Sequence, residues 1–194
     1  MFSLLLFAAW TIESLLNFPQ VDDPQMRPGG EMYAYVQQGN VLLSPLENGA
    51  PRQVHSCRLP RWSPDSRRLA FLARQDGTDQ VFLFDVASGA IRQFTHSQSG
   101  AGSYAWAPDG RAIAFLATDP GPAPDPQVSG QYSRYSRLYW QAIDSPVARR
   151  VTGGAAHVAS FVMKSNPAIP PHLLNISLAL QALHMTFRGQ FFCR

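Results

Sequence analysis

The chain has 194 residues, of which 45% are hydrophobic and 15% are charged, and its formal net charge is +3. This composition excludes a disordered chain and a coiled coil, and it provides the core of one globular domain. The 16 Lys and Arg residues include a single Lys, Lys164, and form no basic run. We therefore expect no nucleic-acid partner.

Residues 1–20 are predicted to form an N-terminal segment. Residues 2–10 are apolar apart from Ser3 and could serve as the core of a signal peptide. However, no Lys or Arg precedes them, and Glu13 follows soon after. We therefore favour a short amphipathic helix over residues 11–16. No apolar stretch of about twenty residues occurs, so we predict no membrane span.

The two cysteines, Cys57 and Cys193, lie far apart in the chain and have no metal-ligand spacing. Two incidental thiols fit a reducing cytoplasm best, and one long-range disulfide remains an alternative. We therefore expect a cytoplasmic location in preference to a periplasmic or secreted one.

Two segments of the chain are near copies of one another. Residues 61–73 correspond to residues 105–117, and the matching positions of Trp62 and Trp106 set a period of 44 residues. An internal repeat of roughly 40–50 residues that contains short strands is typical of a β-propeller, in which each repeat forms one blade of about four strands. The sequence therefore predicts an all-β fold, a partial β-propeller of about three four-stranded blades over residues 21–162.

The first blade is predicted at residues 21–57, where a degenerate copy keeps the Pro-Gly turn and lacks the tryptophan. The second is predicted at residues 58–98. One of its strands is predicted at residues 80–86. Residues 81–86 are apolar on both faces apart from Asp85, as expected when neighbouring blades cover both sides of a sheet. The other strands of this blade are predicted at residues 67–73 and 90–95.

The third blade is predicted at residues 102–154, with later strands at residues 136–143 and 148–152. A proline-rich insertion at residues 120–126 cannot enter a sheet, so we predict a surface loop there. A fourth copy begins at residue 155 and then departs from the repeat. The tail at residues 163–194 is apolar with mixed spacing, and we predict that it lies outside the propeller and is closer to a helix than to a propeller strand.

The repeated motif combines a strand end, a tight turn and a strand start. Proline presets the turn, Asp can bond to the backbone two residues on, and Gly110 accepts a left-handed conformation. Asp65 and Asp109 could instead be catalytic carboxylates or metal ligands, but their repetition in equivalent blades favours a structural role. The predicted structural residues are Trp62, Pro64, Asp65, Trp106, Pro108, Asp109 and Gly110, and both tryptophans should pack between adjacent blades.

Sequence signatures of catalysis are missing. The five histidines lie in no His-Glu-x-x-His motif, and the chain has no Gly-x-Ser-x-Gly elbow, phosphate-binding loop or dinucleotide fingerprint. We predict no catalytic, cofactor-binding or metal-binding residues and no cofactor, so the chain itself should not be an enzyme.

The repeats resemble the Trp-Ser-Pro-Asp-Gly (PD40) motif shared by TolB-like proteins and by the non-catalytic domain of prolyl-oligopeptidase-family (S9) serine peptidases. The opening segment, residues 11–16, 21–25 and 28–30, is similar to that of acylaminoacyl-peptidase-like members. Arg92-Gln93-Phe94-Thr95 and the segment at residues 149–154 resemble the Arg-x-Leu-Thr blade endings of the same family. The resemblance covers residues 11–162.

In that family a propeller of about seven blades caps an α/β-hydrolase domain. The propeller allows only oligopeptides to reach the active site of that domain. The resemblance implies a non-catalytic propeller fragment that lacks the later blades and the hydrolase domain, as a truncated gene, a frameshift or an unusual recombinant product would give. A TolB-like protein-binding scaffold and a stand-alone three-blade module are the alternatives. The implied partners are a peptide or protein ligand, the missing hydrolase domain, or further copies that associate through open blade edges.

Overall fold

The computed structural model describes residues 20–119, 135–153, 157–164, 174–182 and 185–193. Every regular element in these ranges is a β-strand. No helix in them is long and apolar enough to cross a membrane. The helix predicted at residues 11–16 and the loop predicted at residues 120–126 lie outside the described residues.

Three four-stranded antiparallel sheets follow one another along the chain, and in each the strands are paired in sequence order. This confirms the predicted all-β fold with three four-stranded blades. The first sheet contains β1 (Asp22–Met26), β2 (Met32–Gln37), β3 (Asn40–Pro45) and β4 (Arg52–Ser56). The second contains β5 (Arg58–Trp62), β6 (Arg68–Gln75), β7 (Thr78–Asp85) and β8 (Ile91–Gln93). The third contains β9 (Tyr104–Trp106), β10 (Ala112–Thr118), β11 (Ser136–Ala142) and β12 (Arg149–Arg150).

A fourth sheet contains β13 (His157–Lys164), β14 (Leu174–Ala182) and β15 (Met185–Cys193). The helix favoured for the tail is therefore wrong for its described residues. The two last strands pair antiparallel from Leu174 opposite Cys193 to Ala182 opposite Met185. Apolar residues alternate at positions 174, 176, 178 and 180, which is the period of a strand. Additional leucines on either side obscured this period. β13 also crosses the predicted tail boundary at residue 163.

The sheets stack face to face, and the two middle strands of the second and third sheets are covered on both sides. In β6, Leu69 and Phe71 pack with the first sheet, whereas Leu72 packs with the third. In β10, Phe115 packs with the second sheet and Leu116 with the fourth. Alternate side chains point to opposite faces of a strand, so fully apolar strands are expected here.

The first strands of neighbouring sheets lie close together. β1 contacts β5 and β9 contacts β13, while β4, β8 and β12 are at the opposite edges of their sheets. Sheets that stack by their faces and converge at their first strands radiate from a common axis. This is the arrangement of consecutive propeller blades.

Candidate functional site

The repeated turn has the same backbone geometry in both copies. The Ser66 N–H donates to the Ser63 carbonyl and the Gly110 N–H donates to the Ala107 carbonyl, each at 2.9 Å. Ser66 and Gly110 have φ values of 62° and 70°. The motif predicts a left-handed conformation at Gly110, and in the second blade Ser66 has the same conformation.

Both motif carboxylates accept a hydrogen bond from the backbone two residues on. Asp65 Oδ1 accepts from the Arg67 N–H and Asp109 Oδ1 from the Arg111 N–H, each at 3.0 Å. Burial alone would raise the pKa of Asp65, but hydrogen bonds from Ser63 and Arg67 and the nearby Arg68 charge lower it overall. Among the described residues, no three His, Cys, Asp or Glu side chains are grouped to hold a metal ion. The structural role of both carboxylates stays a prediction, which these contacts support.

Trp62 and Trp106 connect neighbouring sheets. Trp62 Nε1 donates to the Gln25 carbonyl oxygen in β1, and Trp106 Nε1 donates to the Arg61 carbonyl oxygen in β5, each at 3.0 Å. Both indoles are 8% exposed and belong to the apolar clusters between sheets. Each indole thus anchors its own sheet to the first strand of the preceding one.

At the end of the second and third blades, a threonine hydroxyl accepts a hydrogen bond from the backbone of the neighbouring strand. Thr95 Oγ1 accepts from the Val81 N–H at 2.9 Å and donates to Gln80 Oε1 at 2.8 Å. In the third sheet, Thr152 Oγ1 accepts from the Leu138 N–H at 3.0 Å. The threonine therefore replaces a backbone acceptor where the outermost strand ends.

A charged network at the end of β10 was not found in the sequence. Asp119 accepts hydrogen bonds from Arg137, Tyr139 and Arg150 at 3.0–3.3 Å. Burial alone would raise the pKa of Asp119, but the bonds from Arg137 and Tyr139 and the charge of Arg150 lower it overall. Burial raises the pKa of Tyr139, and the bond to Asp119 adds to that effect. These residues are distant in sequence and meet only through the register of the sheet. No local sequence motif therefore predicts the network.

A pocket of about 220 Å³ lies between the second and third sheets. The connection from β8 to β9, the end of β10, and β11 with its following turn form its walls. Gln141 lines the pocket and is 2% exposed. The pocket combines apolar walls with one buried polar side chain, and no sequence motif predicts it.

Cys57 is a free, buried thiol. Burial raises its pKa to about 12, with an opposing hydrogen bond to the backbone of Val41. A thiol with such a pKa is almost fully protonated at neutral pH, so Cys57 is a poor nucleophile and a poor metal ligand.

No protein-family model matches the chain. The chain is 32% identical over 73 residues to Tricorn protease homolog 1 of Streptomyces coelicolor, a match that covers 36% of this chain and 7% of that protein.

Solved structures share the fold at low sequence identity. Acylaminoacyl peptidase from Pyrococcus horikoshii matches with a TM-score of 0.54 and 15% identity, over 89% of this chain and 33% of that one. The β-propeller domain of the trilobed protease from Pyrococcus furiosus matches with a TM-score of 0.57 and 15% identity, over 89% and 57% of the two chains. TolB from Acinetobacter baumannii matches with a TM-score of 0.53 and 16% identity, over 89% and 43%. The chain therefore has the fold of consecutive β-propeller blades, as found in the propeller parts of peptidases and in TolB.

Proposed function

We propose that this chain is the non-catalytic propeller part of an S9-type serine peptidase, and that with a hydrolase domain it limits which peptides reach the active site. The main support is the superposition of 89% of the chain on acylaminoacyl peptidase from Pyrococcus horikoshii. The sequence similarity to a tricorn protease homolog also points to a peptidase. The chain covers 33% of acylaminoacyl peptidase, and the match covers 7% of the tricorn protease homolog, so each of these proteins has large parts without a counterpart in the 194 residues.

The convergence of the first strands suggests how such a part would select its substrates. Asp23 on β1 pairs with Arg61 on β5 at 2.7 Å, which fixes the spacing of two neighbouring first strands. Stacked blades that meet at a common axis leave only a narrow passage along it. An extended peptide can pass where a folded domain cannot, so the propeller would exclude large substrates by size.

A TolB-like scaffold is the second candidate. The match to TolB from Acinetobacter baumannii covers the same 89% of the chain at nearly the same TM-score as the match to acylaminoacyl peptidase. In this case the blades would present a surface for other proteins, and no hydrolase would be involved.

The two candidates are separated by an active-site probe. Tagged chain, expressed in its source organism and purified, would be treated with a fluorophosphonate that labels serine hydrolases. We expect an unlabelled chain together with a labelled hydrolase that co-purifies with it. Labelling of the chain itself would refute the non-catalytic assignment. Recovery of other proteins without any labelled hydrolase would refute the peptidase assignment and favour the scaffold.

A matched variant controls for non-specific capture. Trp106→Ala removes the indole that joins the second and third sheets, whereas Arg111→Ala changes an exposed side chain in the same turn. Capture of the hydrolase should be lost with the first variant and retained with the second.

We also propose that the chain associates with itself through open sheet edges. In the sheet order, β15 pairs with β14 alone among the described strands and presents a nine-residue edge. Unpaired strand edges are templates for association with other chains. Light scattering after size exclusion should show oligomers, and a sharp monomer peak would refute this proposal.

A further inference from the structure

The pocket between the second and third sheets has mainly apolar walls. The rings of Phe115 and Tyr139 are stacked with centroids 5.6 Å apart and an interplanar angle of 17°, and Pro146 and Ala148 line the pocket beside them. Such walls favour a flat, apolar group over a charged one.

Gln141, which lines this pocket, has one side-chain polar atom without a partner among the described residues. Its Nε2 donates to the Phe94 carbonyl at 3.0 Å and to the Ser145 carbonyl at 2.9 Å, and these two bonds fix the orientation of the amide. Within the described ranges, no group donates to its Oε1. A buried acceptor without a donor is unfavourable, so the site is suited to a ligand that brings one.

Two other side-chain hydroxyls around the pocket are already engaged. The Tyr139 hydroxyl donates to Asp119, and the Ser99 hydroxyl donates to the Thr118 carbonyl at 2.6 Å. Gln141 Oε1 is therefore the buried acceptor that these walls offer to a hydrogen-bond donor on an otherwise apolar ligand group.

The volume limits the size of that group. A dry cavity of about 150 Å³ is large enough for benzene. At about 220 Å³ this pocket accepts one aromatic ring with a small substituent, and it is too small for a whole drug-sized ligand. We propose that the pocket binds the side chain of a tyrosine in a peptide, with the ring along Phe115 and Tyr139 and the phenolic hydroxyl donating to Gln141 Oε1.

Exposed polar side chains at the rim can bind the peptide on either side of that tyrosine. His96 and Gln98 are exposed and lie on the connection from β8 to β9, which borders the pocket. The assignment of the ligand to a peptide rests on the proposed function, whereas the preference for a phenol rests on the pocket alone.

The test compares two probes that differ by one hydroxyl group. Binding of N-acetyl-L-tyrosinamide and N-acetyl-L-phenylalaninamide to the full chain would be measured by ligand-observed NMR titration. We expect the tyrosine amide to bind about tenfold more tightly, the effect of one hydrogen bond to a buried acceptor. Equal affinity for the two amides, or no binding of either, would overturn the proposal.

A matched pair of variants places the binding in this pocket. Ala148→Leu fills the pocket, whereas Ala142→Leu adds the same side chain at an exposed position of β11 outside it. Near-ultraviolet circular dichroism would verify that both variants fold. Binding should be lost in the first and kept in the second, and loss in neither would overturn the proposal.

Titration with free p-cresol tests whether the pocket binds a small free phenol or the tyrosine of a peptide. Binding of p-cresol without binding of the tyrosine amide would overturn the peptide assignment. Because no hydrolase is present in this titration, its result is independent of the fluorophosphonate experiment. A tyrosine preference without a co-purifying hydrolase would refute the proposed function and support the pocket.

Discussion

Trp106 donates its indole N–H to the backbone carbonyl of Arg61, 3.0 Å away in the preceding sheet. Trp62 makes the same contact with Gln25 one sheet earlier. Both acceptors lie in the first strand of their sheets, where neighbouring blades converge. The repeated tryptophan therefore connects each blade to the preceding one. This common contact accounts for the presence of a tryptophan at the same position of both repeats.

Replacement of Trp106 by Phe should destabilise the chain by about 1–3 kcal/mol. The ring keeps most of its apolar contacts, but the part-buried carbonyl of Arg61 loses its side-chain donor. Urea denaturation would measure the change. Trp140→Phe is the control, because the Trp140 indole is only partly buried and donates no hydrogen bond among the described residues. An equal loss in both variants would contradict the role of the hydrogen bond.

Replacement of Thr95 by Val should also cost about 1–3 kcal/mol of unfolding free energy. The new side chain has nearly the same shape, but the Val81 N–H loses its hydroxyl acceptor and Gln80 Oε1 loses a donor. Thr152→Val is the matched variant and should cost less, since Thr152 is half-buried whereas Thr95 is fully buried. Urea denaturation of both variants would reveal the order, and the reverse order would contradict this explanation.

Substitutions at the left-handed position of the repeated turn should have opposite effects on stability in the two blades. Ser66→Gly relieves a side chain held at a φ of 62° and should stabilise the chain by about 0.5–1 kcal/mol. Gly110→Ser should destabilise it by a similar amount, although a Cβ there would meet only Pro64 at an ordinary 3.6 Å. Thermal unfolding would measure both changes. Shifts of the same sign would show that backbone conformation does not set the preference.

The Asp119 network predicts a loss of stability in acid. The pKa of Asp119 is lowered in the folded chain, so the unfolded state binds more protons and the free energy of unfolding rises with pH. The contribution is complete above about pH 4, the ordinary range of Asp, and is lost as pH falls through the lower folded value. The pKa values of Asp65 and Asp85 are lowered as well and act with the same sign.

Comparison with Asp119→Asn isolates the contribution of this carboxylate. The stability difference between the wild type and this variant should be largest near neutral pH and should shrink below about pH 4. Unfolding free energies at several pH values would show it. A difference independent of pH would contradict the account.

The blades could be predicted because the repeat imposes the same local pattern at each copy. Strand period, turn residues and the position of the tryptophan all recur, and the structure follows them through the second and third sheets. The tail was predicted less well, since its alternating apolar residues are flanked by further leucines that suggest other periods. Pairing of β14 with β15 decides its structure, and pairing depends on register.

The candidate site could not be predicted, for a physical reason. Gln141 is a polar residue in an ordinary strand, and only tertiary packing makes it a buried group whose Oε1 has no donor among the described residues. Asp119 likewise meets Arg137 and Arg150 across sheet pairings of distant segments. Sequence patterns report which face of a strand is apolar, but they do not report which distant polar groups that face will meet.

Hydrogen exchange of the tryptophan indole protons, measured by NMR, tests the stacking of these sheets as consecutive blades most directly. The Trp62 and Trp106 indole protons should exchange slowly and show nuclear Overhauser contacts to Gln25 and Arg61, their partners in the preceding sheets. Trp140 provides the internal reference, and Trp→Phe variants assign the signals. Exchange of the Trp62 and Trp106 protons as fast as that of Trp140, without contacts to the preceding sheet, would contradict the propeller arrangement.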